Sequence, residues 1–445
     1  MGQGLRVQSP YSIIMNSTDK QAPENPKDFA ATIGLDWADE KHDIWLRPKA
    51  GPAGHQIIEH TPEALHEWVA QLRARFPEGQ IALALETSRG ALVYALMVYD
   101  FIVLYPINPK SLSSYREAFK VSGAKDDRTD ARLLEDMLRQ NLEQLRPLNP
   151  QDEGTRTLAG LTEKRRHLVD HRTAAVNQCH AELKCYYPLA RNILEDLTTT
   201  LAATFLLRWP DLASLKKAGA AKMRQFFYAQ NCRSEERILE RELLLEKAKA
   251  LTEDAAVVMP CRLKVKALAG MIRALNQVID EMDKQIRHQF AQHEDAFIFE
   301  SFPGAGPVLA PRLLVAFGTD RERFGSAQEV SQTYGIAPVK RASGKTELIG
   351  MRYRCPKFAR QTFHEHAACV VKKEPWAREY YQTLRTKGKG HHTAVRATAF
   401  KLIRIYFRCW KNKTKYDANA YLESLKKHGG PLPGRLEGKE KKNCE

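Results

Sequence analysis

Thr32-Ile33-Gly34-Leu35-Asp36-Trp37 is the stretch on which the fold turns. It closes an apolar run, 31–37, that reads as a buried strand but carries a carboxylate at Asp36. Asp39-Glu40-Lys41 makes a turn, and 42–46 returns as the second arm of a β-hairpin. Farther on, Ile81-Ala82-Leu83-Ala84-Leu85-Glu86 is another buried strand that ends on an acid. Lys125-Asp126-Asp127-Arg128-Thr129-Asp130-Ala131 then opens a helix over 127–140, with Ala131, Leu134 and Leu138 on its inner side. Asp127 and Asp130 are three apart and so share one helix face. Carboxylates gathered in apolar surroundings repel one another and are costly to desolvate, and a divalent cation relieves both. Asp36, Glu86, Asp127 and Asp130 therefore suggest a Mg²⁺ site, with Mn²⁺ able to substitute, for phosphoryl transfer on nucleic acid.

Each acid alone has a plainer reading. Asp36 could cap the hairpin turn, and Glu86 could sit at a helix start. Asp127 could be an N-cap, and Asp130 a partner of Arg128 or Arg132. It is their order on strand, strand and helix that favours a shared site.

The remainder of 28–148 alternates helix and strand signals: helices over 63–75 and 89–99, a strand over 101–107. That alternation implies an α/β layer architecture. Residues 1–27 read as a flexible extension. From 149 to 296 the pattern becomes helical, with long stripes over 150–186 (Leu158, Leu161, Leu168, Ala175, Cys179, Leu183) and 263–293 (Leu268, Met271, Leu275, Val278, Met282, Ile286). These read as an antiparallel or intermolecular coiled coil, with Lys164, Arg165, Arg166, His167 and Arg172 on the polar face and a helical insert over 187–260. The charge run 233–249 reads as a solvated helix face.

A mainly helical unit follows over 297–415. Phe302-Pro303-Gly304-Ala305-Gly306-Pro307 precedes a helical run and resembles a helix-hairpin-helix turn, where Gly304 and Gly306 would leave backbone N–H groups for a phosphate. A tight helix–helix turn is the plainer account. Next comes a basic loop, Lys340-Arg341-Ala342-Ser343-Gly344-Lys345, with Arg352 and Arg354 close behind. A serine among cations is ordinarily a phosphate contact. As a nucleophile, Ser343 would need a base or metal beside it, with Arg341 and Lys345 neutralising the transition state. Residues 416–445 read as a basic tail.

Composition supports a polyanionic partner. Lys plus Arg number 69 against 53 Asp plus Glu, a net charge of +16. The chain has 8 cysteines and none forms a Cys-x-x-Cys pair, so reduced, mostly buried thiols in a cytoplasmic protein are expected. His364-Glu365-His366 and His391-His392 match no common metal spacing and read as surface or phosphate-contacting residues. No segment is apolar enough to span a bilayer, and 12–15 is too short for a signal-peptide core.

Gly34-Leu35-Asp36, Leu85-Glu86-Thr87, 125–131, Pro303–Pro307 and Gly335-Ile336-Ala337-Pro338 leading to Ser343-Gly344-Lys345 together resemble the DEDD transposases of bacterial insertion-sequence family 110. These are RNA-guided serine-type recombinases, and the matching motifs span 31–410. The resemblance implies an N-terminal RuvC-like (RNase H-like) domain, a coiled-coil connection and a C-terminal transposase domain. It implies that Asp36, Glu86, Asp127 and Asp130 hold Mg²⁺ and that Ser343 attacks a DNA phosphate. It also implies double-stranded DNA and a bridge RNA as partners, an active site shared between subunits of a dimer or tetramer, and a place at the bacterial nucleoid. Asp126 departs from the family's usual small polar residue, and Ala342 stands where many relatives have a second Ser. The segments 1–27, 187–260 and beyond 411 are longer than usual. A plain metal nuclease using water, or a non-catalytic nucleic-acid-binding protein, are the alternatives.

Overall fold

The computed structural model describes residues 28–119, 126–343, 346–429 and 434. The expected extension over 1–27, Gly344, Lys345 and most of the tail past 429 lie outside the described residues. The chain divides into two compact units after Pro150.

The first unit is a five-stranded mixed sheet with helices on both faces. Its elements are β1 (Ala31–Trp37), β2 (Lys41–Pro48), β3 (Gly54–Glu59), α1 (Pro62–Arg75), β4 (Ile81–Leu85), α2 (Ala91–Met97), β5 (Ile102–Pro106), α3 (Pro109–Phe119) and α4 (Asp127–Asn141). The strand order is β3-β2-β1-β4-β5. β1, β2 and β3 pair antiparallel, whereas β4 and β5 run parallel to β1. Period-two alternation assigns each side chain to a layer. Ile33, Leu35, Leu83 and Leu104 pack with Trp68, Leu72 and Leu96 of α1 and α2. Ala82, Ala84, Val103 and Tyr105 face the other way, against Leu133, Leu134 and Leu138 of α4. β3 and α3 are elements that the sequence reading did not call.

The second unit is mostly helical: α5 (Glu153–Tyr186), α6 (Pro188–Leu194), α7 (Thr200–Arg208), α8 (Leu212–Ala229), α9 (Glu235–Lys247), α10 (Ala255–Ala291), α11 (Ala296–Glu300), α12 (Gly306–Phe317), α13 (Ala327–Thr333), β6 (Pro338–Ser343), β7 (Thr346–Met351), α14 (Lys357–Lys373), α15 (Pro375–Thr386), α16 (His391–Lys411) and α17 (Ala418–Lys427). Three cross-links set the direction of α5 against α10: Arg165 to Asp283, Arg172 to Asn276, and Lys264 to Glu182. As one number rises the other falls, so the two helices run antiparallel.

Two expectations about this pair are corrected. Met271 and Val278 are exposed, and the buried seam of α10 is Val265, Ile272, Ile279 and Ile286, at steps of seven. Arg165 and Arg172 lie in the seam of α5 and not on its polar face, because Asp283 and buried Asn276 occupy the facing seam positions. Polar residues can sit at such positions when paired, and they fix the register of the helices.

The segment 188–247 folds as four helices. Phe205, Trp209, Phe226 and Phe227 form a core with the adjoining halves of α5 and α10. The charge run is a helix face only in part: Arg241 is buried, stacked on Phe227 and donating to the Ile193 carbonyl at 3.0 Å. A separate core gathers α11 to α16 around Phe317, Phe363, Tyr406 and Trp410. His366 lies inside it, correcting the surface reading: it is 2.5 Å from the Tyr406 hydroxyl, and burial pulls its pKa down to about 4. The thiols are also less buried than expected. Of the described cysteines only Cys179 and Cys409 are buried, and Cys185 is exposed. No helix among the described residues is long and apolar enough to cross a membrane.

Candidate active site

The acids of the first unit are arranged by a single sheet face. Gly34 packs directly beneath α4: a Cβ built there would fall 2.0 Å from the Ala131 carbonyl oxygen and 2.5 Å from the Glu135 nitrogen. Thr32, on the same face, donates to Glu135 Oε1 at 2.7 Å. Alternation therefore turns Asp36 to the α4 side as well. On β4, Ala82 and Ala84 face α4, and Glu86 follows directly after the strand's last residue. Leu35 pairs with Leu85 in parallel register, so Asp36 and Glu86 each stand one residue beyond the last pair of these adjacent strands. Small residues at 34, 82 and 84 let the helix come close to the sheet.

Each acid has a distinct setting. Asp36 is half-buried and pairs across the ladder with Asp43, while Glu86 is exposed four residues ahead of the α2 cap. Asp127 is exposed in the first turn of α4, and Asp126 holds the N-cap position. Asp130 is buried and its partner is Arg116 of α3, at 2.6 Å, not Arg128 or Arg132. Asp130 Oδ1 and Arg116 Nε have no hydrogen-bond partner among the described residues. Among the described residues, no three His, Cys, Asp or Glu side chains are grouped so as to hold a metal ion. The acids thus share a face but are not drawn into a cage. In kind the donors suit a hard divalent cation: all are carboxylates, and one has a buried oxygen left unsatisfied.

Sequence reasoning missed the residues that support this face. Glu135 is fully buried and takes Arg47 Nε at 3.1 Å on both oxygens, tying α4 to β2. Asp43 lies 2.6 Å from His55 Nε2 on the neighbouring strand. A charged residue recurring among Ala131, Leu134 and Leu138 was the available signal for Glu135.

In the second unit, Ser343 ends β6, opposite Thr346 and exposed. The basic loop is thus an antiparallel hairpin, not a free loop. Lys340 pairs with Glu347 at 2.7 Å. Arg352 donates to the Gln332 carbonyl at 3.0 Å, and Arg354 is exposed. Lys345 and the Arg341 side chain lie outside the described residues. Gly304 has φ +81 and packs on α14, where a Cβ would meet Cys369 Cβ at 3.0 Å; Gly306 has φ +53 with open space around it. Packing and backbone conformation account for Gly304 without a ligand. At Gly306 only the conformation does.

The DEDD_Tnp_IS110 transposase family model matches residues 33–188, and the transposase IS116/IS110/IS902 family model matches 296–382. The chain belongs to the IS110 family of transposases. The IS117 mini-circle protein of Streptomyces coelicolor is 27% identical over 86% of this chain and 94% of its own. The 42 kDa protein of insertion element IS900 from Mycobacterium paratuberculosis is 27% identical over 84% and 97%. The 44.8 kDa protein of insertion element IS116 from Streptomyces clavuligerus is 24% identical over 84% and 96%. Membership makes this transposase an enzyme that acts on DNA. All four acids fall in the first matched span and Ser343 in the second, whereas α7 to α9, and α6 beyond Pro188, lie outside both.

Proposed function

We propose that this transposase excises and inserts an insertion-sequence element as a site-specific DNA recombinase. Asp36, Glu86, Asp127 and Asp130 would hold Mg²⁺, or Mn²⁺ in its place, which when bound supplies Lewis-acid activation of a DNA phosphodiester. Ser343 Oγ forms a phosphoester with the strand it attacks, and the broken strand leaves as an alcohol. Lys340, Arg341, Lys345, Arg352 and Arg354 offset charge on the reacting phosphate and its neighbours. A bridge RNA would choose the sites, and the acids of one subunit would serve the serine of another in a dimer or tetramer.

The observation that supports this reading is the parallel register of Leu35 with Leu85, each followed by an acid, Asp36 and Glu86, with Gly34 packed close against α4. The 3-2-1-4-5 strand order supports an RNase H-like reading of the unit. The step-of-seven seam of α10 supports the coiled-coil reading, and the turn between α11 and α12 supports the helix-hairpin-helix reading.

The test incubates the protein with Mg²⁺, element-end DNA and its flanking RNA, then looks for a covalent protein–DNA adduct by denaturing gel and peptide mass spectrometry. An adduct at Ser343, absent in Ser343→Ala and in Asp36→Ala, is expected. Cut DNA with no adduct would instead make this a nuclease that uses water.

A further inference from the structure

The second unit has a half-open cavity of about 460 Å³ between α5, α10, α12 and α14. Three guanidiniums line it, Arg165, Arg166 and Arg312, against two carboxylates, Asp283 and Glu365. Arg165 is engaged by Asp283 through hydrogen bonds of 2.5 and 2.9 Å. Arg166 holds Asp170 at 2.7 Å and reaches Glu365 at 3.4 Å. Glu365 also takes Arg312 at 2.7 Å and Gln361 at 2.7 Å, so one carboxylate serves three donors.

Arg312 is only 5% exposed. Its Nε donates to Thr362 at 2.9 Å, its Nη1 donates to Glu365 and the guanidinium lies over the Phe358 ring, but Nη2 has no hydrogen-bond partner among the described residues, nor has Arg166 Nε. A buried cation with an unused donor is costly unless something answers it. Burial lowers the pKa of Arg312, Arg166 and Arg165 lower it further, and Glu365 alone opposes them. Counting Asp170, three guanidiniums meet three carboxylates, and what is left unanswered is the donor capacity of Arg312 Nη2 and Arg166 Nε. Pro307, Val308 and Leu309 complete the wall, placing the start of α12 there, where a helix carries its positive end.

We propose that this cavity is an anion site that receives one phosphate of a DNA strand, with Arg312 as its principal donor. Guanidinium gives phosphate charge-assisted hydrogen bonds. The proposal rests on the chain being an enzyme that acts on DNA. It assigns a role to Arg312 and Arg166, which are separate from the acids and from Ser343.

The test uses the full chain and an element-end duplex, with affinity titrated between about 50 and about 200 mM salt. Arg312→Gln should bind about tenfold more weakly, with a salt slope smaller by about one. It should also lose the thermal stabilisation that inorganic phosphate gives the wild type. Because Arg312→Gln also breaks the Glu365 pair, Val308→Trp provides a second variant that fills the cavity and leaves every ion pair in place. The same losses are expected from it. If the folded variants keep the wild-type slope and phosphate response, the cavity proposal is overturned. A slope that falls on RNA but not on DNA overturns the assignment to DNA. Wild-type protein that responds to phosphate yet binds no duplex overturns the DNA reading beneath the proposal.

Discussion

At the residue scale, the first unit turns on an ion pair with no counterpart in the sequence reading. Arg116 and Asp130 meet at 2.6 Å with side chains 19% and 3% exposed. Removing one partner of such a pair leaves the other charge buried and uncompensated. Arg116→Met should cost about 3 to 5 kcal/mol in urea unfolding, and adding Asp130→Asn should recover part of it. A cost near zero would mean that the pair is not formed in solution. His366 makes a second prediction. Its pKa in the fold, about 4, lies below the ordinary value of 6.5. As pH falls below 6.5 the unfolded chain takes up a proton that the folded chain refuses until about pH 4. Stability is thus lost across that window, by roughly 3 kcal/mol. Urea midpoints of wild type and His366→Asn from pH 7 to 4 would show it: the variant's slope should be shallower. Asp36, Glu86, Asp127 and Asp130 were legible as candidates because acids in apolar runs stand out. Arg116 was not, since nothing local marks an arginine as the partner of an acid on another helix.

At the element scale, the close approach of α4 to β1 depends on one missing side chain. With a Cβ at Gly34 set to land 2.0 Å from a backbone oxygen, the helix must move. Gly34→Ala should cost about 3 kcal/mol and abolish strand transfer, because the first turn of α4 is displaced from β1. Retained transfer in a folded Gly34→Ala protein would break the link between this packing and the site. The strands β1, β2, β4 and β5 could be read from apolar runs, whereas β3 could not: Gly54-His55-Gln56-Ile57-Ile58-Glu59 is an edge strand with little apolar content. The α10 stripe was legible at Leu268 and Ile286 but not between them, because Asn276 and Asp283 interrupt the apolar seam there.

At the scale of the whole molecule, two compact units joined after Pro150 imply two cooperative transitions. Urea unfolding of the full chain should resolve both, and Gly34→Ala should shift one and leave the other. A single transition that moves as a whole would contradict this. The change from alternating to helical pattern near 150 was visible in composition, because a mixed sheet and a helix pair need different periodicities. The hairpin bearing Ser343 was not visible. Lys340 and Arg341 hide its alternation, and all of β7 but Met351 is exposed, so no core imprints a pattern on it.

Helices α5 and α10, of 34 and 37 residues, carry one core where Leu158 meets Ile286 and another where Leu183 approaches Val265. At about 1.5 Å per residue such a rod is roughly 50 Å long, or about 15 base pairs of DNA at about 3.4 Å each. Any two contacts made at its ends would be held at that interval.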